Sequence, residues 1–136
     1  MAEIGANKAI LEHFLKELDE GIDAVDKFFS PVCSAYLPGN TLPVNRDGFK
    51  QFVEMLYSAF PDLRHHIQEQ VAERDTVAAV VTVHGTHMGE FQGISPTGKQ
   101  IIVTDIIVAK IEAGNIVRIW AQFDALGLLR QLGPGQ

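Results

Sequence analysis

Apolar residues follow a helical period through the first part of the chain and a period close to two from about Leu63 onward, so helices are expected first and strands second. Leu11, Phe14, Leu15 and Leu18 recur at helical spacing, and Gly21 stands where a left-handed terminator is useful. A shorter set, Ile22, Val25 and Phe29, leads into the apolar stretch Phe28 to Leu37, which stops at Pro38-Gly39-Asn40. This pattern predicts a short helix followed by a first strand or extended segment. Asn45 can cap a third helix whose buried face is Phe49, Phe52, Val53, Leu56 and Phe60, with Pro61 ending it.

Four segments rich in β-branched residues follow: Leu63 to Val71, Val77 to Phe91, Gln100 to Ile111 and Ile116 to Phe123. Turn chemistry separates them at Glu73-Arg74-Asp75, at Gly93 to Gly98 with Pro96 inside, and at Ala113-Gly114-Asn115. Connections this short join antiparallel neighbours, so a meander is expected. Ala125 to Leu132 reads as a closing helical segment ended by Gly133-Pro134, with frayed residues beyond. The sum is an α+β fold in which N-terminal helices cover one face of a strongly curved antiparallel sheet.

A chain of 136 residues, 46% hydrophobic and 21% charged, has globular composition and fits a single domain over 1–136. Its formal net charge of -6, with no clustered Lys and Arg, argues against nucleic acid as a partner. The longest apolar runs, Ala78 to Val83 and Ile101 to Val108, are too short to span a membrane, and Met-Ala-Glu opens no signal peptide, so a cytoplasmic location is expected. Cys33 is the one cysteine, which excludes an intrachain disulfide and a multi-cysteine metal site and suits a small buried thiol. His65 and His66 are adjacent and would point to opposite faces of a strand, while His13 and His84 add no ligand spacing. Neither a phosphate-cradling glycine motif nor a serine nucleophile elbow is present, and no metal or cofactor is expected.

Phe60-Pro61-Asp62-Leu63-Arg64, Gly85-Thr86-His87-Met88-Gly89-Glu90-Phe91, Pro96-Thr97-Gly98-Lys99, Trp120, the run Phe123 to Leu129, and Gln131-Leu132-Gly133 resemble the SnoaL-like polyketide cyclase family in order and spacing, from about Asn45 to Gly133. The resemblance implies a cystatin-like, nuclear-transport-factor-two-like cone around a mostly apolar pocket. It also implies cofactor-free closure of a ring in a polyketide ester by an intramolecular aldol step, and a homodimer paired through the outer face of the sheet. The chain departs from the family where acidic and histidine residues precede the tryptophan, since Arg118 and Ile119 stand there.

An aldol closure needs a base beside a carbonyl and a donor for the enolate oxygen, and a carboxylate in an apolar pocket suits the first role. Arg118, Trp120, Gln122 and Asp124 alternate onto one strand face. If that face lines the cavity, Trp120 is a wall, Gln122 a hydrogen-bond donor and Asp124 the base. Asp124 also precedes the closing helix and suits an N-cap, which would lower its pKa instead. His87 shares a face with Val81 and Val83, and is either a pocket donor or a buried imidazole bonded to backbone or to Glu90. Asp105 interrupts an apolar strand. It either faces a polar spot in the cavity or lies outward with Arg118 as partner. Tyr36 can donate to an enolate oxygen or pack with its hydroxyl at the rim, and Phe52, Leu56, Tyr57 and Phe60 read as core and pocket wall. Two function classes follow: an enzyme of cyclase, lyase or isomerase type acting on a small apolar carbonyl compound, and a silent protein that binds such a ligand. A hydrolase or isomerase like limonene epoxide hydrolase or ketosteroid isomerase ranks below both, for want of a buried Asp-Arg-Asp set or a tyrosine with paired acids.

Overall fold

The computed structural model describes residues 2–133, with side chains from Gly5 onward. Helices α1 (Ala2–Leu18) and α2 (Asp23–Phe28) lead into strand β1 (Phe29–Tyr36), followed by α3 (Arg46–Ala59). Strands β2 (Arg64–Glu73), β3 (Thr76–Thr86), β4 (Gln100–Glu112) and β5 (Asn115–Phe123) then run in succession, and α4 (Ala125–Leu132) closes the chain. The five strands form one curved, unclosed sheet in the order β1-β5-β4-β3-β2. The expected meander is present, since β2, β3, β4 and β5 pair antiparallel in turn. β1 adds a parallel pairing to β5, with Tyr36 beside Trp120.

The alternation anticipated from sequence sets the inner face. Along β4, Ile101, Val103, Asp105, Ile107, Ala109 and Ile111 are buried, while Ile102, Thr104 and Ile106 are exposed. The α1 stripe of Leu11, Phe14, Leu15 and Leu18 is buried against this face. Aromatic contacts tie the helices to β1: Phe14 meets Phe29 edge-on at 5.1 Å between centroids, and Phe29 stacks on Phe49 of α3 at 4.8 Å. Asn45 caps α3 as expected, its Oδ1 accepting the Gly48 N–H at 2.9 Å. Cys33 is half-buried, and burial pushes its thiol up. Among the described residues no helix is long and apolar enough to cross a membrane. Pro134, expected to help end the closing helix, lies outside the described residues.

The strand expected to reach Phe91 ends at Thr86. Beyond it the chain leaves the sheet for the end of α3, where the Ala59 carbonyl accepts the N–H groups of Met88 and Gly89 at 2.9 and 3.1 Å. The β-branched pattern could not register this, because the stop comes from a helix end far along the chain. A Cβ at Gly89 would collide with the Ser58 carbonyl, so only glycine permits the approach. Gly89→Ala is expected to lower stability by about 2 kcal/mol or more, read as a reduced urea midpoint at an unchanged slope.

Candidate active site

Asp105 stands in the middle of β4, opposite Val81 on one side and Phe123 on the other, with its side chain on the buried face. It opens into a cavity of about 30 Å³ between the sheet, the end of α3 and α4, enough room for about one water molecule. Leu56 and Phe60 wall it on the helix side, Val103 and Phe123 on the sheet side, and Leu128 of α4 closes it. The residue is 8% exposed and its Oδ1 is buried with no hydrogen-bond partner. Loss of water disfavours the charged carboxylate, so burial drives its pKa up to about 6, with the nearby His65 imidazole pulling the other way. A carboxyl that can hold or release a proton near neutrality is the form a general base requires.

His65 of β2 is the second polar residue lining this cavity. Its Nδ1 meets Asp19 Oδ1 at 2.8 Å, its backbone N–H donates to Asp19 Oδ2 at 2.8 Å, and the Tyr57 hydroxyl donates to Asp19 Oδ1 at 2.6 Å. Burial alone would raise Asp19, but the hydrogen bond and charge of His65, with the Tyr57 hydroxyl, outweigh it and hold the carboxyl below its ordinary value. Burial and the Asp19 carboxylate both raise the Tyr57 phenol, so it stays a donor. An ionised Asp19 accepts only, which puts a proton on His65 Nδ1 and leaves Nε2 as the nitrogen free for chemistry. The set draws on the end of α1, on α3 and on β2, so helix packing aims the imidazole.

The other sequence candidates fall elsewhere. The inner face of β5 is Ile119 and Ala121, and the face carrying Arg118, Trp120 and Gln122 looks outward, which corrects the expectation that it lines the cavity. Ala121 and Ile119 take the core positions because they continue the buried row set by Ile107 and Ala109 of β4. Asp124 is an exposed N-cap whose Oδ1 accepts the Gly127 N–H at 2.9 Å, outside the hollow where a base would act. Tyr36 also faces outward and stacks on Trp120 at 5.0 Å, with Arg118 over the indole at 5.5 Å. Arg118 lies opposite Lys110, not Asp105, so a surface pair with Asp105 is excluded. His87 is fully buried, but its Nδ1 accepts the Thr97 N–H at 3.1 Å and meets the Thr97 hydroxyl at 3.0 Å, fastening the 87–99 segment. It touches the cavity wall through Phe60, at 5.5 Å between ring centroids, and is not itself part of the lining. Leu56 lines the cavity, whereas Phe52 packs against the core. Sequence reasoning set His65 aside as half of an adjacent pair. Its alternation with Leu63 and Ile67 was the available signal, while Tyr57 read as core and pocket wall and Asp19 gave none.

A bent sheet closed by helices thus encloses a small apolar hollow with a destabilised carboxyl and a braced imidazole at its wall. The family model for the SnoaL-like polyketide cyclase matches residues 9–132, and the chain belongs to that family. Among solved structures it is similar to IdmH of Streptomyces antibioticus, a proposed polyketide cyclase, at 26% identity and a TM-score of 0.86, covering 94% of this chain and 99% of that one. AclR of Streptomyces galilaeus, a proposed hydroxylase, is 28% identical with a TM-score of 0.87, covering 96% and 82%. A proposed SnoaL-like polyketide cyclase of Jannaschia sp. CCS1 has a TM-score of 0.90 at 18% identity, covering 98% and 96%, a likeness of fold alone. The curated proteins contain no match.

Asp105 makes stability depend on pH. Between its unfolded value near 3.8 and its folded value of about 6, the native chain keeps a proton that the unfolded chain has lost. Stability therefore falls as pH rises through that window and is lower by about 3 kcal/mol above it. Asp105→Asn is expected to remove this slope between about pH 4 and 6, and to raise the stability at pH 8 by about 1–3 kcal/mol, checked by urea unfolding across pH.

Proposed function

We propose that the protein is a cofactor-free cyclase that closes a ring in a small apolar carbonyl compound by an intramolecular aldol-type step, with Asp105 as base and His65 as proton donor. The observation that carries this reading is the buried, unpartnered Asp105 oxygen facing the same small cavity as His65. Asp105 takes the proton from the carbon beside a carbonyl. The enolate carbon attacks a second carbonyl of the same molecule, forming the new C–C bond as the carbonyl π bond breaks, and His65, acting in its doubly protonated form, delivers the Nε2 proton to the resulting oxyanion. Asp19 holds the ring in place through Nδ1, and Tyr57 fixes Asp19. The present cavity is smaller than any such substrate, so Leu56, Phe123 and Leu128 must move aside on entry.

The proton-abstraction step can be read without the natural substrate, as exchange of α-protons of a simple apolar β-keto ester in D₂O, followed by NMR. Exchange should rise with pH through about 6, where Asp105 ionises. It should fall about 10²-fold or more in Asp105→Asn. Unchanged exchange in that variant sinks the enzyme reading, and tight ester binding without exchange in the native protein favours a silent binder.

We further propose that the protein pairs with a second copy through the outer face of the sheet. Val80 lies directly opposite Ile106, and Trp120 lies between Val108 and Tyr36, giving a continuous apolar strip across four strands. Ile102 and Ile106 remain 61% and 42% exposed there, an arrangement suited to a self-complementary two-fold contact. The solution mass at micromolar concentration should be that of a dimer, and Ile106→Asp should shift it to the monomer. A native monomer under those conditions refutes the pairing.

A further inference from the structure

His66 of β2 and His84 of β3 are far apart in sequence and have no part in the cavity. Arg64 lies opposite His84 and His66 opposite Thr82, so the two histidines are diagonal neighbours on the outer face. Their rings stack within 8° of parallel at 4.9 Å between centroids, and the two Nε2 atoms approach to 2.9 Å. Two nitrogens at that distance share one proton, since a hydrogen bond needs a donor on one ring and a lone pair on the other. Both rings thus bring the same nitrogen to one spot on the outer face.

We propose that this pair is a binding site for a late first-row divalent cation, with Zn²⁺, Ni²⁺ and Cu²⁺ as the class of ligand. Neutral imidazole suits these ions, whereas Mg²⁺ and Ca²⁺ prefer oxygen. In a tetrahedral site with metal–nitrogen bonds of about 2.0–2.1 Å the two nitrogens stand about 3.3 Å apart. A small rotation of the exposed His66 ring supplies the difference from 2.9 Å. The backbone need not move, because β2 and β3 are already paired at these positions. Among the described residues no group of three or more His, Cys, Asp or Glu is placed to hold an ion. The protein therefore supplies two ligands, water completes the shell, and the site is a chelate of moderate affinity. Metal entry needs a lone pair on both Nε2 atoms, so the ring that donates the shared proton carries it on Nδ1 instead, and protonation of either ring in acid weakens binding. The site is independent of the proposed reaction, because His65 points to the opposite face and remains with Asp19.

The test is calorimetric titration of the full chain with ZnCl₂ and separately NiCl₂ at about pH 7.5, with MgCl₂ as comparison, repeated at about pH 5. One saturable site for Zn²⁺ and Ni²⁺, absent for Mg²⁺ and lost in acid, is expected. Affinity should fall about tenfold or more in each of His66→Ala and His84→Ala and stay unchanged in His13→Ala, which alters an exposed α1 histidine. His66→Gln and His84→Gln serve if an alanine variant unfolds, and paramagnetic broadening by Ni²⁺ should centre on β2 and β3. No saturable binding by the native chain, or binding that survives loss of either histidine, overturns the proposal.

Discussion

A carboxylate on the buried face of an apolar strand is the constraint around which this molecule is arranged. Asp105 occupies a position in β4 whose neighbours on the same face, Val103 and Ile107, are core residues. Burying a lone charge there costs more than the fold can spare, so the group meets the cost by rising toward neutrality and keeping its proton longer than an exposed acid would. Replacing it with an apolar residue would serve stability better. Its presence breaks the pattern that the rest of this face of β4 obeys, as the proposed base would require.

The histidine that shares the cavity is held by a different kind of interaction. Asp19 is satisfied on both oxygens, by a ring nitrogen, a backbone N–H and a phenol, and is ionised because those donors outweigh its desolvation. One carboxyl is thus driven toward its neutral form and the other held charged, a separation set wholly by surroundings. The brace depends on α1 ending where it does, because Asp19 follows its last residue and must reach β2 while Tyr57 reaches it from α3.

The two faces of the sheet divide the remaining work. The inner face supplies the core, the cavity and the acid, while the outer face carries the Tyr36–Trp120 stack, the apolar strip and the His66–His84 pair. The cavity is closed on one side by α4, which is held by paired hydrogen bonds between Gln131 and the Ile102 backbone and by the Asp124 cap. Membership of the SnoaL-like family accounts for this architecture. It does not by itself assign the reaction, since neighbours of similar shape are proposed as a cyclase and as a hydroxylase, and function resides in the side chains set on a fold.

Periodicity alone carried the helices, the meander and the inward direction of Ile101, Val103 and Ile107, because one buried face imposes a repeat that a single strand displays in full. The motifs between Phe60 and Gly133 carried the family. Asp105 was legible as an interruption in an apolar run, and the Asn45 cap as a polar residue ahead of a helical stripe. The face of β5 was not legible, because Arg118, Trp120 and Gln122 alternate as regularly as Ile119 and Ala121, and only pairing with β4 decides which row goes inward. The same holds for Asp19, His65 and Tyr57, and for His66 with His84. Each set becomes a unit only when elements separated in sequence are packed together, and no local pattern encodes a distance across that packing.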